Sequence, residues 1–474
     1  MNYNPHDVIF ALATAWATSA IAVVRVSGEG CIQAVSKAVK SSTDICNSKS
    51  NSAVFCHLMD PKDGSKVDDI VLTLYRDGHG YTGEEAFEIS CHGGLQTVKA
   101  VLAVMENLGF RQALPGEFTM RAFLHGKMDL TRAEAVNELI NAQGKAGRKM
   151  AMNRLNGALF KRISEIKAII LEIMSIVEVQ LDYSEGEIGE DLEFPMDKLE
   201  SAIGALSGIR ETYSTGRLFS QGARVVLAGP SNAGKSSLFN LFLKEERSIV
   251  SSTMGTTRDY IEAMCTMGGI PVRLYDTAGF RSLSESEIEE EGIRRSRSLM
   301  EAANIIIYMA DATEEFSADE AVLSDPRCIA VLNKTDLTET RREGFLSLSV
   351  STGAGFPELC DAIVSRLTTD MVMPDDSTVI IENERQKSDL QRAEKALQGA
   401  RTAVENDLPL DIVSMDIQEA LEALGELTGE VTTESFTKPS ISTFFRSDLF
   451  RTAMHLGSER TEPSIAPMSE ESTM

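Results

Sequence analysis

The sequence predicts a multidomain protein with α/β and all-α parts: an α+β domain, then helices, then an α/β unit inserted between two helical stretches. Three observations carry this. The chain has 474 residues, more than one hydrophobic core usually serves. From 223 to about 370, short apolar runs alternate with helical stretches, as in a mostly parallel sheet covered by helices on both faces. Helical periodicity flanks that unit on both sides.

Residues 1–125 mix apolar runs such as AIAVVRVSG (20–28) and DDIVLTLYR (68–76) with turn signals such as PKDG and RDGHG, a compact α+β pattern. Residues 126–215 form the first helical part. There Leu155, Leu159, Ile163, Ile166, Ile170, Ile173 and Val177 recur every three or four positions, which places them along one face of a long helix. Residues 216–375 hold the α/β unit, with ARVVLAG, VRLYDTAG, NIIIYMAD and CIAVLNKTD as its strands. Residues 376–434 return to helical spacing, with Leu390, Ala393, Leu397, Ala400 and Val404, then Ile417, Ala420, Leu421, Leu424 and Leu427. One helical domain interrupted by the α/β unit accounts for this order; two separate helical domains are the alternative. Residues 435–474 lose the periodicity and are rich in Ser, Thr, Glu and Pro, so at least the last 20 or so are expected to be disordered.

The net charge of -25 excludes a chain that coats nucleic acid with its whole surface, since that mode neutralises phosphates with Lys and Arg. A local basic groove stays open. Seven scattered cysteines contain no C-x-x-C pair, which argues for reduced thiols rather than a disulfide framework or a structural zinc site. No apolar stretch of about 18 residues occurs, and the first residues lack a secretory pattern. A soluble, cytoplasmic protein with no membrane partner is expected.

The stretch Gly229-Pro-Ser-Asn232-Ala233-Gly234-Lys235-Ser236-Ser237 follows an apolar strand and precedes an amphipathic run. Glycines let backbone N–H groups converge on a phosphate at the positive end of a helix. Lys235 is then expected to reach the β- and γ-phosphates, and the Ser236 hydroxyl to hold Mg²⁺. Asp276-Thr-Ala-Gly279 ends another strand, where the carboxylate can reach the Mg²⁺ shell and the glycine N–H can face the γ-phosphate. Asn333-Lys334-Thr335-Asp336 ends a third. A carboxylate there accepts both N–H groups on the pyrimidine edge of guanine, whereas adenine leaves it unpaired, so the expected nucleotide is GTP. Ser349-Val350-Ser351 resembles the short loop that closes over the base. Thr257, in Met254-Gly-Thr256-Thr257-Arg-Asp259, is the candidate switch threonine on Mg²⁺, with an ordinary Gly-Thr turn as the competing reading. These features predict a Ras-like P-loop G domain that hydrolyses GTP. In Ras-like enzymes a glutamine after the Asp-x-x-Gly turn orients the attacking water. Phe280 stands there, followed by the acidic run Glu285, Glu287, Glu289, Glu290 and Glu291, one of which can hold the water.

The chain resembles the tRNA-modification GTPase family MnmE, also called TrmE, over roughly residues 5–434. The resemblance rests on IAVVRVSG, YTGEEAFEISCHGG, PGEFTMRAFLHGKMDLTRAEAV, GPSNAGKSSLFN, GTTRD, DTAGFR, NKTD and LGELTGEVTTE. It implies an N-terminal folate-binding and dimerising domain, a discontinuous helical domain and an inserted G domain. It further implies a homodimer whose G domains pair when GTP and K⁺ bind. Asn232 would give a side-chain ligand for K⁺, with Ser251, Thr253 and Thr256 on the loop supplying the rest. The water-orienting glutamate falls on Glu289, allowing one extra residue in this loop, with Glu287 as the competing choice. Contacts to a tetrahydrofolate one-carbon derivative fall on Arg25, Glu88 and Lys127. From the residues alone, Arg25 and Glu88 are single charges amid apolar strand residues, which fits a pocket and equally fits an ordinary salt bridge. Cys91-His92 has no second ligand pair at useful spacing, so a structural role is favoured over a metal site. The family makes an aminomethyl-type substituent on the wobble uridine of tRNA, with an FAD-containing partner, MnmG.

Two departures stand out. Family members carry a Pro-Pro-Gly-Arg-Gly segment where this chain has Ala15-Trp-Ala-Thr-Ser19, and a terminal Cys-Ile-Gly-Lys tail where this chain has unrelated sequence with no cysteine after Cys360. The second leaves open an alternative function, a GTP-dependent assembly switch without modification activity.

Overall fold

A computed structural model describes residues 6–142, 144–182, 193–245, 261–276, 298–314, 320–369, 371 and 378–430, which fall into two units divided between Ala133 and Glu134.

The first unit is built on a seven-stranded sheet. Its strands are β1 (Ile9–Leu12), β2 (Ile21–Ser27), β3 (Val39–Lys40), β4 (Ser52–Met59), β5 (Lys66–Tyr75), β6 (Ala86–His92) and β7 (Arg111–Gln112), in the order β3-β4-β5-β6-β2-β1-β7. Among the described strands of this sheet only β1 and β7 pair in parallel. The period-two alternation of β2 buries Ala22, Val24 and Val26 on one face. Those residues join one core with Val98, Val101, Val104 and Met105 of helix α2 (Leu95–Asn107). The short helix α1 (Cys31–Val35) adds Cys31, Ile32 and Val35 to it. The opposite face of β2 carries Arg25, and the antiparallel register sets it across from Glu88 of β6. Helix α3 (Glu117–Leu124) follows β7.

Helix α4 (Leu130–Asn141) crosses the division between the units. In the second unit, α5 (Lys145–Leu155) is followed by α6 (Ala158–Asp182), α7 (Met196–Glu211) and α8 (Tyr213–Gln221). The periodic stripe of the sequence is therefore not one helix. The α-helical ladder breaks at Asn156–Gly157, where Gly157 takes φ +89°, a left-handed value that the stripe's spacing does not register. Leu155 closes α5, and the remaining six stripe residues lie on α6 at 0–1% exposure. They pack with Leu199 and Leu206 of α7, Leu390 and Leu397 of α12 (Glu384–Glu405), and Ile417 and Leu424 of α13 (Leu410–Thr428). The helices before and after the α/β part thus share one core.

Between them stands a six-stranded sheet of β8 (Ala223–Ala228), β9 (Ile261–Met267), β10 (Ile270–Asp276), β11 (Ile305–Asp311), β12 (Cys328–Asn333) and β13 (Leu346–Ser347). The order is β13-β12-β11-β8-β10-β9, parallel throughout except for the β9–β10 pair. All seven residues of β11 are buried, as expected for a parallel strand covered on both faces. One face packs on α9 (Lys235–Glu245) and α11 (Phe356–Thr368) through Leu238, Phe242, Leu359 and Ile363. The other carries Tyr275, Ile306 and Tyr308 beside Leu299, Met300 and Val322, the last on α10 (Glu320–Leu323).

The chain re-enters the helices through residues 380–386, and buried polar contacts fix that return. Arg154 pairs with Glu138 and, at 2.8 Å, with Glu382; Ile381 N donates to Thr212 Oγ1 at 3.1 Å. Glu134 accepts from Arg385 Nε at 2.9 Å and from Gln386 Nε2 at 2.6 Å.

Candidate nucleotide site

In this sheet β8 lies between β10 and β11, so the carboxyl ends of its strands open a crevice at the point where the strand order turns back. The loop leaving β8 needs its glycines. Gly229 has φ +126°, and a Cβ there would lie 2.1 Å from Met309 O. Gly234 has φ +99°, and its Cβ would lie 2.3 Å from Asn333 Nδ2. Asn232 also adopts a positive φ, +68°, which asparagine tolerates.

Lys235 opens α9 and is only 6% exposed; its Nζ donates to Gly229 O at 2.9 Å and Pro230 O at 2.8 Å. The ammonium is thus folded over the mouth of the loop. Ser236 Oγ donates to Asp276 Oδ2 at 2.8 Å, although the two are 40 residues apart. Asp276 is 2% exposed at the end of β10, and the parallel register sets it beside Leu227, at the end of β8. A hydroxyl and a buried carboxylate side by side at a helix N-terminus form a donor set suited to a hard cation such as Mg²⁺. Ser237 follows on α9 and is exposed.

Asn333 ends β12 and ties the two ends of the site together. Its Nδ2 donates to Ala233 O at 2.9 Å, and its Oδ1 accepts from Val350 N at 3.1 Å. Thr335 holds the same loop, with N and Oγ1 both donating to Leu348 O. Asp336 is exposed, and Ser351 Oγ donates to its Oδ2 at 3.2 Å. Hydrogen bonds from Ser349 and, more weakly, Ser351 hold its carboxyl below the usual range, which keeps it an acceptor. Ser349, 1% exposed, lies with its Oγ 3.0 Å from Ser351 Oγ.

Sequence reasoning passed over Asp311. It ends β11 in register with Asn333 and pairs with Lys334, whose φ is +63°. Burial works against the Asp311 charge, yet hydrogen bonds from Lys334 and Thr313 outweigh it and hold its carboxyl below the usual range. The available signal was an acid closing an apolar strand, in the same row as Asp276. Ser251, Thr253, Thr256, Thr257, Gly279, Glu287 and Glu289 lie outside the described residues, as does the tail from 431 onward.

In the first unit Arg25 Nε donates to Glu88 Oε1 at 2.8 Å, so these two form an ion pair. The Arg25 guanidinium also lies 5.0 Å from the centre of the Tyr81 ring and 5.8 Å from that of Phe118. Lys127 Nζ donates to Gly78 O at 3.3 Å, and its stem packs against Gly83. The loop 78–83 thus touches both basic residues. Cys91 is buried, which pushes its thiol up to about 11, and His92 Nδ1 pairs with Asp68 at 2.7 Å. Among the described residues no three His, Cys, Asp or Glu side chains gather as a metal site.

Comparison with known proteins agrees in extent. The family model of the MnmE helical domain matches residues 130–438, and that of the GTP-binding protein TrmE N-terminus matches residues 8–127. The tRNA modification GTPase MnmE of Borrelia recurrentis is 36% identical over 449 residues, 91% of this chain and 96% of that protein. The one of Treponema denticola is 37% identical over 467 residues, 93% of this chain and 98% of that protein. Among solved structures, the G domain of the T. maritima FeoB iron transporter is 28% identical, covering 30% of this chain and 98% of its own, with a TM-score of 0.25. On the strength of the two family models and of relatives matched along almost their whole length, this chain belongs to the tRNA modification GTPase MnmE family.

Proposed function

We propose that the chain hydrolyses GTP with Mg²⁺ and uses that cycle in the modification of tRNA. The observation that carries this is the joining of two ends of one crevice: a Ser236–Asp276 pair beside a glycine-built loop, and Asp336 beside the Ser349–Ser351 loop, with Asn333 spanning both.

Each side chain has a role that its position supports. Lys235 places a positive charge at the loop that cradles the β- and γ-phosphates. Ser236 and Asp276 hold Mg²⁺, which when bound neutralises charge building on the phosphate oxygens. Asp336 accepts the two N–H groups of the guanine edge, while Ser349, Val350 and Ser351 close over the base. Thr257 is the switch threonine that would add a further ligand to Mg²⁺, the Gly279 N–H faces the γ-phosphate, and Glu289 orients the attacking water. Asn232, with Ser251, Thr253 and Thr256, holds K⁺ where an arginine finger would otherwise stabilise the transition state.

The finer reading extends to the whole family pattern: a homodimer, an MnmG-type FAD partner and a tetrahydrofolate one-carbon unit delivered to the wobble uridine. Arg25, Glu88 and Lys127 are the folate contacts in this reading. The Arg25–Glu88 pair, flanked by the Tyr81 and Phe118 rings, suits a flat polar heterocycle. The alternative is a second reading in which the GTP cycle persists without modification. Mass spectrometry of wobble uridines, in cells where this chain replaces the resident protein, separates the two. Restored modification supports the enzyme, and its loss with normal GTP turnover supports the switch. Absence of any Mg²⁺-dependent affinity for GDP or GTP refutes both.

A further inference from the structure

A second polar cavity lies in the same unit as the nucleotide crevice, at the opposite end of the sheet. Its volume is about 390 Å³, and Tyr213, Arg217, Gln221, Arg224, Arg273 and Asn304 line it. Strand direction sets its place. β8 enters the sheet at Ala223 and reaches the phosphate loop only after Ala228, a rise of roughly 15–20 Å. A nucleotide seated on that loop does not reach Arg224.

Two of the arginines are held through their guanidinium groups. Gln221, the last residue of α8, takes two of them: its carbonyl accepts from Arg273 Nε at 3.1 Å, and its Oε1 accepts from Arg217 Nε at 3.1 Å. Arg224 comes from β8, where its backbone N–H is fixed by Asn304 Oδ1 at 2.8 Å. In a chain with 71 acidic and 46 basic residues many arginines are matched with carboxylates, as in Arg25–Glu88, Arg111–Glu117, Arg154–Glu138, Arg327–Asp325 and Arg385–Glu134, whereas no carboxylate among the described residues lines this cleft. Among the described residues neither Arg217 nor Arg224 forms an ion pair with a carboxylate. Glu384, which feels the Arg217 charge, is engaged by Tyr213 Oη and by Lys387 Nζ at 3.2 Å. Among the described residues three arginines and no carboxylate line this one cleft, so an anion entering it meets side-chain charge of one sign. Their planar N–H forks match phosphate oxygens.

We propose that this cleft binds backbone phosphate of the tRNA, so that an acidic protein engages RNA through one local basic site and not through its whole surface. The inference rests on the tRNA reading above and adds the surface that serves it. The same guanidinium chemistry would also take free phosphate, so the test separates the two sources.

The test compares the full chain with its Arg217→Ala/Arg224→Ala double variant, measuring tRNA binding by fluorescence anisotropy over a range of KCl concentrations. The double variant is expected to bind about tenfold or more weakly at low salt, with the slope of log K against log salt reduced by about two, roughly one per arginine. Its affinity for GDP and its far-UV circular dichroism stay at wild-type values, which shows that it folds. The Arg217→Lys/Arg224→Lys variant, which keeps both charges, retains the wild-type slope. Equal affinity and slope in the alanine variant overturn the proposal. So does displacement of tRNA from the wild-type chain by inorganic phosphate at matched phosphate concentration and ionic strength, which would make this a site for any free anion. If the wild-type chain binds no tRNA, the tRNA reading itself fails and this inference falls with it.

Discussion

Replacing Asn333 by alanine isolates the link between the two halves of the nucleotide crevice. The side chain is 3% exposed and uses both ends of its amide, one on Ala233 O and the other on Val350 N. Each such hydrogen bond contributes a net of about 0.5–1.5 kcal/mol, so the pair is worth roughly 1–3 kcal/mol. Ala233 is fully buried, and its carbonyl loses the amide partner, which adds about 1 kcal/mol or more. Together these loosen the crevice by roughly 2–4 kcal/mol. In the proposed function a guanine nucleotide touches both sides of the link, so part of this cost is expected to appear as lost affinity. The Kd for GDP is expected to rise about 10- to 100-fold, or about 1.4–2.8 kcal/mol. Titration of a fluorescent GDP analogue measures it. The preference for GDP over IDP should hold, because Asn333 ties the loops together and the proposed function assigns the guanine edge to Asp336. An affinity within twofold of wild type would refute the account, as would a collapse of base preference.

Asp336→Asn should do the reverse: competition between GTP and ATP loses its guanine bias while the phosphate contacts persist, and unchanged selectivity removes Asp336 from base recognition. GTP turnover should fall when K⁺ is replaced by Na⁺; equal rates take Asn232 out of its proposed role. Glu289→Ala should slow hydrolysis with GTP affinity nearly intact, and the same effect from Glu287→Ala instead moves the water-orienting residue by two positions. In the helical part, burial beside Glu382 and Glu134 pushes Glu138 up to about 8 against the pull of Arg154. A carboxyl that binds its proton in the folded state and releases it on unfolding makes stability fall as pH rises from about 4.5 to about 8, by at most about 1.4 kcal/mol per pH unit. Urea unfolding followed at several pH values should therefore show a shallower decline in Glu138→Gln, and parallel curves would rule this out.

The contiguous parts of the crevice were legible in the chain, because each is a short pattern tied to a strand end. A strand, a glycine-built loop and a helix starting at Lys235 lie within about fifteen residues of sequence. The seams at 133–134 and at Asn156–Gly157 were harder to read. Hydrophobic spacing continued from Leu155 to Leu159, and a single left-handed glycine leaves no mark on a periodicity.

What the sequence determined by itself is the inventory: the types of side chain, the alternation of strands and helices, and the loops that can bind phosphate and guanine. Those properties follow from local backbone preference and burial period, which extend over a few residues. Tertiary structure decided the partnerships. Asn333 meets Ala233 across 100 residues, Arg25 meets Glu88 across 63, and Arg217, Arg224 and Arg273 face one cleft from a helix and two strands. Strand order and register fix such meetings, and both are set by how whole elements pack, at a range no local pattern in the chain can encode.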